Sequence, residues 1–426
     1  MTATLPATCE GLGSIDESVH GAWIATAAEF AQLGAEWDGL FQRANPENIF
    51  LSFGWMSTWW NHFGKGQLAV IAVRDATGRL VAVAPFHVAR SSAGLGARRL
   101  GFLADEHVGS DYLNILADAR FGAAAAAEIA RMLFAHHRLW DYIELRDTAD
   151  SPLMAALTAE LLSRGMCVFE TSRRACRYIP LPPTFEKYLA SIGASLRANY
   201  RRRWRALQHE HQGACLAISD AAGLERHFPT LIALHRMRFA ERVEESAFLA
   251  AGVPEFHSEA MRVLAAEGFV RLFVLTAGGE AVAALYGFAV GQTFQFYQCG
   301  MHTGWLRQGV GQVLIGNAIE LSIAGGQGTF DFLRGDESYK AQWADSCHEN
   351  VTLRFFDQRP ASIAALWSLR ISGALHSAAH SVRTRLAIGA DVGRPILAAA
   401  AFLGGSGRLK AVPRGDPRAN CPPHKG

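Results

Sequence analysis

The residues best suited to chemistry lie between positions 305 and 343. Trp305-Leu-Arg-Gln-Gly-Val-Gly-Gln-Val-Leu314 puts Gly309 and Gly311 between a strand pattern and a helix pattern. The first turn of a helix has unpaired N–H groups and a partial positive charge, and glycines let a phosphate reach the backbone. A pyrophosphate, such as that of coenzyme A, suits such a turn. Downstream, Thr329-Phe-Asp-Phe-Leu-Arg-Gly-Asp-Glu-Ser-Tyr-Lys340 runs from an apolar strand into Asp331, Arg334, Asp336, Glu337, Tyr339 and Lys340. Active sites of open α/β sheets gather at such strand ends. Lysine is scarce, five residues against 36 arginines, and Lys340 is the only one between 188 and 409. The two side chains differ in shape and titration, so a retained lysine singles itself out.

A second basic feature is a helix expected over about 195–211. Arg197, Arg201 and Arg205 recur at i, i+4 and i+8 on one face, beside an apolar row of Leu196, Tyr200, Trp204 and Leu207. Such a face could grip phosphate, an acidic glycan or a tRNA backbone, or stand in solvent on an amphipathic helix. Other signals carry less. No G-x-S-x-G, P-loop or H-E-x-x-H motif occurs. His136 and Asp141 have an acyltransferase-like spacing but straddle a helix end and a strand start. His376 and His380 lie one helical turn apart with no third ligand, so no metal is expected.

These residues must be positioned by an α/β framework. Periodicity gives a helical stretch from Trp23 to about Trp60, a hairpin of 67–74 with 79–89, and a strand over Ser110–Leu116. A helix over 121–137 and a strand over 140–146 follow. Ser151 as N-cap and Pro152 at the first position start a helix reaching Arg164. Two short strands, 166–170 and 177–181, end the first half. Pro180, Pro182 and Pro183 mark a boundary. Beyond it come helices at 195–211, 223–245 and 254–267, then strands 269–276, 280–290 and 293–300. A helix over Val310–Ala324 and strands 329–333 and 351–356 complete the second half. After Pro360 an apolar stripe of Ile363, Leu366, Trp367, Ile371, Leu375, Val382 and Leu386 predicts a helix. Its polar face holds Ser362, Ser368, Ser372, His376 and His380, so packing of the stripe on the domains is expected. The domains are therefore 1–20 flexible, 21–180, 181–358, a helical extension over 359–403 and a disordered tail over 404–426.

Composition sets the outer limits. The 426 residues are 50% hydrophobic and 19% charged with a net charge of +2. That is ample for real cores and gives no chain-wide pull toward DNA, RNA or anionic membrane. Any polyanion contact must come from a local patch. The seven cysteines form no C-x-x-C pair, which argues against a zinc ribbon or disulfide framework. No signal peptide or spanning segment is apparent, and a cytoplasmic location is expected.

The RQGVG loop, the run FDFLRGDESYKAQW, and SFGWMSTWWNHFG, GRLVAVAPFHV and SDYLNIL in the first half resemble the GNAT superfamily, specifically its CelD-type (cellulose-biosynthesis) acetyltransferase-like branch. LRANYRRRWRALQHEHQGACLAI is similar to the start of the second domain of FemABX-type peptidyltransferases. The resemblance covers about residues 20–358. It implies an α/β (α+β) fold of two tandem GNAT-like domains, each a mixed sheet flanked by helices, ahead of the C-terminal extension. It implies acyl transfer from acetyl-CoA or another acyl-CoA, without a metal, to an amine or hydroxyl of a sugar, glycan precursor or related small molecule.

Carried over by position, Arg307, Gln308, Gly309, Val310 and Gly311 form the pyrophosphate loop, with Leu306 departing from the family's Gln or Arg. Asp331, Asp336 or Glu337 is the base, Lys340 an oxyanion or phosphate partner, and Tyr297 or Tyr339 the acid. Arg197, Arg201, Arg205 and Arg334 are substrate-side candidates. Two alternatives remain. One is an aminoacyl-tRNA-dependent FemABX-like transferase, the only reading with tRNA as a partner. The other is a non-catalytic component associated with polysaccharide-biosynthesis proteins.

Overall fold

The computed structural model describes residues 18–91, 96–240, 247–335 and 337–372. The first half opens with β1 (Val19–Ile24), α1 (Ala27–Gln32), α2 (Gly34–Ala44) and α3 (Phe53–Phe63). The continuous helical stretch expected from Trp23 is thus divided. Trp23 lies in a strand and pairs with Ile71. Thr26 and Glu29 form a capping box at α1, Asn45 ends α2 in the left-handed region, and Ser52 caps α3 through Trp55 N. Local capping overrides a shared apolar face.

Next come β2 (Gln67–Leu68), β3 (Val70–Asp75), β4 (Leu80–Ala84), β5 (Phe86–Arg90), β6 (Arg98–Phe102) and β7 (Leu116–Ala117). The expected hairpin forms between β3 and β4, its turn fixed by Asp75 Oδ1, which accepts from the backbones of Thr77 and Arg79. Its outer ends depart: β2 and β5 pair with each other in a different sheet, with Pro85, which has no N–H, at the crossing. Of the strand expected over 110–116 only its last residue enters β7. Residues 110–115 are a loop in which Tyr112 has φ 53° and Leu113 makes one bridge to Thr148.

The half ends with α4 (Gly122–Ala135), β8 (Tyr142–Ala149), α5 (Pro152–Ser163) and β9 (Cys167–Pro180). Ser151 caps α5 through Met154 N with Pro152 inside the first turn, as its sequence indicates. The two short strands expected at its end are one 14-residue strand, β9. Its polar middle is carried by β15 on one side, with Arg173 paired to Glu349 of that strand, while β14 takes up its C-terminal end.

The second half comprises α6 (Phe185–Ser191), α7 (Ala194–His211), β10 (Ala214–Ile218), α8 (Ala221–Ala240), α9 (Val253–Ala266), β11 (Val270–Ala277), β12 (Glu280–Val290) and β13 (Thr293–Met301). Then follow α10 (Val310–Ala324), β14 (Thr329–Arg334), α11 (Lys340–Trp343) and β15 (Ser346–Phe356). A four-stranded sheet has the order β1-β3-β4-β7. An eleven-stranded sheet runs β10-β11-β12-β13-β14-β9-β15-β8-β6-β5-β2.

The two halves share one plan. β6 and β8 are parallel and joined through α4, as β13 and β14 are parallel and joined through α10. They exchange their last strands: β9 pairs with β14, β15 pairs with β8, and β9 and β15 pair with each other along 11 residues of β15. The 180/181 boundary therefore falls inside a continuous sheet. One core gathers Trp37, Trp55, Trp59, Phe256 and Phe288, and a second gathers Tyr200, Phe294, Val313, Ile319 and Phe330. Each such buried side chain contributes about 1.5–3 kcal/mol by removal from water.

A helix spans 360–372, and the extension and tail expected beyond it fall outside the described residues. Of the stripe expected to pack, Leu366 does so, but its other described members face outward. Ser362, Ala365, Ser368 and Leu369 are buried, while Ile363, Trp367 and Ile371 are 44%, 55% and 56% exposed. The serines can be buried because the backbone satisfies them: Ser362 Oγ accepts from Asp357 N, and Ser368 Oγ donates to Ala365 O.

Candidate active site

β13 and β14 pair over only three positions, Thr293–Gln295 with Thr329–Asp331, and then diverge. Beside the divergence the β13 register against β12 jumps, Tyr286 facing Gln298 and Gly287 facing Phe296, so Tyr297 is skipped. A bulge leaves a ladder amide without a strand partner, available to another acceptor. Gly309 is the N-cap of α10, its φ of 71° and ψ of 36° suit glycine, and Gln312 N and Val313 N donate to Gly309 O. The amides of Val310 and Gly311 are first-turn groups of the kind that receive anions.

A cavity of about 290 Å³ lies at this place, lined by Arg203, Arg238, Cys299, Gly311, Tyr339 and Trp343 among others. Arg203 of α7 donates from Nη1 to Gln312 Oε1 at 2.7 Å, and a Cβ on Gly309 would collide with its guanidinium. Arg238 of α8 donates to Cys299 Sγ at 2.9 Å. Burial pushes the Cys299 thiol above its usual range, which makes it a poor nucleophile. Burial likewise raises Tyr339, keeping its hydroxyl protonated and able to donate.

A second, polar centre lies at the base of the divergence. Asp331 is 4% exposed, accepts Leu333 N at Oδ1 (2.7 Å) and is pushed by burial up to about 7. Leu333 pays with a φ of 56°. Asp111, from the first half, accepts from Asn350 Nδ2 at 2.9 Å and from Arg334 N at 3.2 Å, and burial raises it to about 6. Arg334 is held by Asp147, by Asp111 at 3.5 Å and by Ser110 O. Lys340, also 4% exposed, donates to Arg334 O at 2.7 Å and pairs with Glu337 at 3.0 Å. Asp331 also lines a separate cavity of about 360 Å³ with Glu47, Asn48, Tyr112, Thr293 and Gln295.

The structure sorts the residues singled out by sequence. Of the loop residues only Gly311 lines the first cavity; Arg307 is exposed, Val310 is buried in the core, and Gln308 has a buried, unpaired Oε1. Tyr339 reaches that cavity. Asp331, Arg334 and Lys340 meet at the polar centre, Glu337 is exposed, and Asp336 lies outside the described residues. Tyr297 does not open on the cavity: its hydroxyl donates to Val108 O inside the aromatic core.

Arg197, Arg201 and Arg205 line an outward face of α7, with Arg197 bound to Leu189 O and Arg201 to Glu186. The arginines that reach the cavity, Arg203 and Arg238, were missed. Arg203 lies off the i, i+4 row that drew attention, and only the approach of α7 to α10 reveals it. His136 stacks on Trp23 and Asp141 pairs with Arg98, so their spacing reflects local packing. Among the described residues no group of three or more His, Cys, Asp or Glu could hold a metal ion.

No curated protein matches the chain. Residues 194–341 match the family described as an acetyltransferase (GNAT) domain. Among solved structures, FemX is similar at 10% identity, covering 75% of this chain and 95% of FemX, with a TM-score of 0.53. L-PGS from Bacillus licheniformis is similar at 12% identity over 80% of this chain and 96% of its own, TM-score 0.47. A tandem GNAT protein from the clavulanic acid biosynthesis pathway shows 11% identity over 80% and 99%, TM-score 0.42. The likeness to FemX is one of fold. The segment that matches the acetyltransferase (GNAT) domain family runs from α7 through the divergent strands into α11.

Proposed function

We propose that the protein is an acyltransferase that takes its acyl group from a coenzyme A thioester, acetyl-CoA in the simplest case, in the cleft between β13 and β14. The observation that carries this reading is the joint placement of Arg203, the first turn of α10 and Tyr339 around one cavity at the end of β13, beyond its last pairing with β14. The residues fit such a donor. Arg203 and the first-turn amides of Val310 and Gly311 would hold the pyrophosphate, and Gly309 leaves room where a Cβ would collide with the cation. The thioester supplies an activated carbonyl.

This chain's own groups cover the remaining needs. The amide freed by the β13 bulge can donate to the developing oxyanion. Tyr339, kept neutral by burial, can protonate the departing thiolate. Asp331, with a pKa near 7, lines the separate cavity and can accept a proton from an amine or hydroxyl through water. Lys340 fixes the Arg334 carbonyl and thereby the turn after β14. The acceptor on this reading is an amine or hydroxyl of a sugar or glycan precursor, in keeping with the resemblance to the CelD-type branch.

Calorimetric titration with acetyl-CoA tests the reading, with Gly309→Asp and Arg203→Ala as variants. Micromolar binding that both variants lose supports it; no binding by the unaltered chain sinks it. The outward-facing arginines of α7 favour one alternative, an aminoacyl-tRNA donor. Transfer abolished by ribonuclease, together with indifference to acetyl-CoA, would select that donor.

A further inference from the structure

The helix over 360–372 displays an apolar stripe at helical spacing on the outside of the molecule: Ile363, Trp367 and Ile371, each more than two-fifths exposed. Its other face is spoken for, since Ala365 and Leu369 join Tyr142 and Phe356 in a small core. Arg370 flanks the stripe, its guanidinium 5.4 Å from the Trp367 ring. In sequence the stripe continues through Leu375, Val382 and Leu386.

The charge of the following segment says what this face would meet. Residues 373–426 contain eight Lys and Arg against two Asp, an excess of six positive charges in a chain whose total is only +2. Arg383 and Arg385 follow in the sequence, and Ile396–Leu403 is an apolar run. An exposed apolar row bearing a Trp, followed by cationic residues interleaved with apolar ones, has the chemistry of a segment lying in an anionic lipid surface. Among the described residues no helix is long and apolar enough to cross a membrane, so the contact would be with the surface.

We propose that the Ile363–Trp367–Ile371 face docks the protein on an anionic membrane surface. The apolar row enters the headgroup boundary, and Arg370 beside it can pair with a lipid phosphate. This proposal stands apart from acyl transfer, because none of these residues lines either cavity near β13 and β14.

The test is co-sedimentation of the full chain with vesicles of phosphatidylcholine alone, or of equal parts phosphatidylcholine and phosphatidylglycerol. The expected result is binding to the anionic vesicles only, weakened by salt. The double variant Trp367→Ser/Ile371→Ser should lower partitioning roughly tenfold with melting unchanged, since both side chains are exposed. Arg383→Glu/Arg385→Glu should lower it at low salt. Three results would overturn the proposal. The unaltered chain could ignore both vesicles. The Trp367/Ile371 variant could bind as the unaltered chain does. Or the chain could be a dimer that this variant converts to monomer, without vesicle binding, making the face a contact between copies. Acetyl-CoA titration of the same variant should be unaffected, which separates failure here from failure of the acyl-transfer reading.

Discussion

Arg203 of α7 and Gln312 of α10 are joined by a 2.7 Å hydrogen bond across 109 residues of sequence, and the bond holds a cation over the first turn of α10. A ligand phosphate arriving there meets a positive charge already in place. Arg203→Ala should weaken acetyl-CoA binding by about 10- to 100-fold, the worth of a charge-assisted hydrogen bond. Arg197→Ala and Arg205→Ala, on the outward face, should leave affinity within about twofold. Calorimetry on the three variants decides it, and an unchanged Arg203→Ala would remove this residue from the donor site.

The buried carboxyls give a signed pH dependence. Asp331 and Asp111 are raised to about 7 and about 6, above the ordinary value of 3.8, so the folded chain holds protons that the unfolded chain releases. Their contribution to stability is full below pH ~4 and is lost as pH rises through those values, at up to about 1.4 kcal/mol per pH unit for each group. Asp331→Asn keeps an acceptor for Leu333 N and removes one ionisation. Its melting temperature should exceed that of the unaltered chain at pH 8, with the gap closing toward pH 5. Parallel melting profiles for the two proteins would refute this.

Tyr339→Phe separates binding from chemistry. The ring would still fill its place beside Trp343 and the cavity, while the proton donor would be gone. Release of thiol from acetyl-CoA should fall by about 10²-fold with donor affinity unchanged. A loss confined to KM would make Tyr339 a wall of the cavity and nothing more.

Gly300 lets α8 lie against β13: a Cβ there would collide with the backbone of His235 and approach Leu234 C to 2.7 Å. Gly300→Ala should push α8 off the strand that carries Cys299 and move Arg238 away from the cavity. The expected cost is about 1–3 kcal/mol of stability, measured by chemical denaturation, with weaker acetyl-CoA binding at temperatures where the fold persists.

Several features follow from the sequence by itself. The residues of α10, Val310–Ala324, the cap of α5 by Ser151 and the hairpin of β3 and β4 rest on contacts within a few positions, so local periodicity and capping suffice to specify them. The glycine start of α10 and the polar run after β14 were visible for the same reason. Tertiary structure alone decided the rest. β9 is one strand because β14 and β15 flank it, and β15 comes from more than 160 residues away. Arg203 and Arg238, rather than the regularly spaced arginines of α7, face the cavity because α7 and α8 pack toward α10 and β13. The helix over 360–372 buries its serines and exposes its isoleucines and Trp367. A helical wheel shows which residues share a face; which face turns inward depends on the partner surface, and here local hydrogen bonds made the serine face cheap to bury.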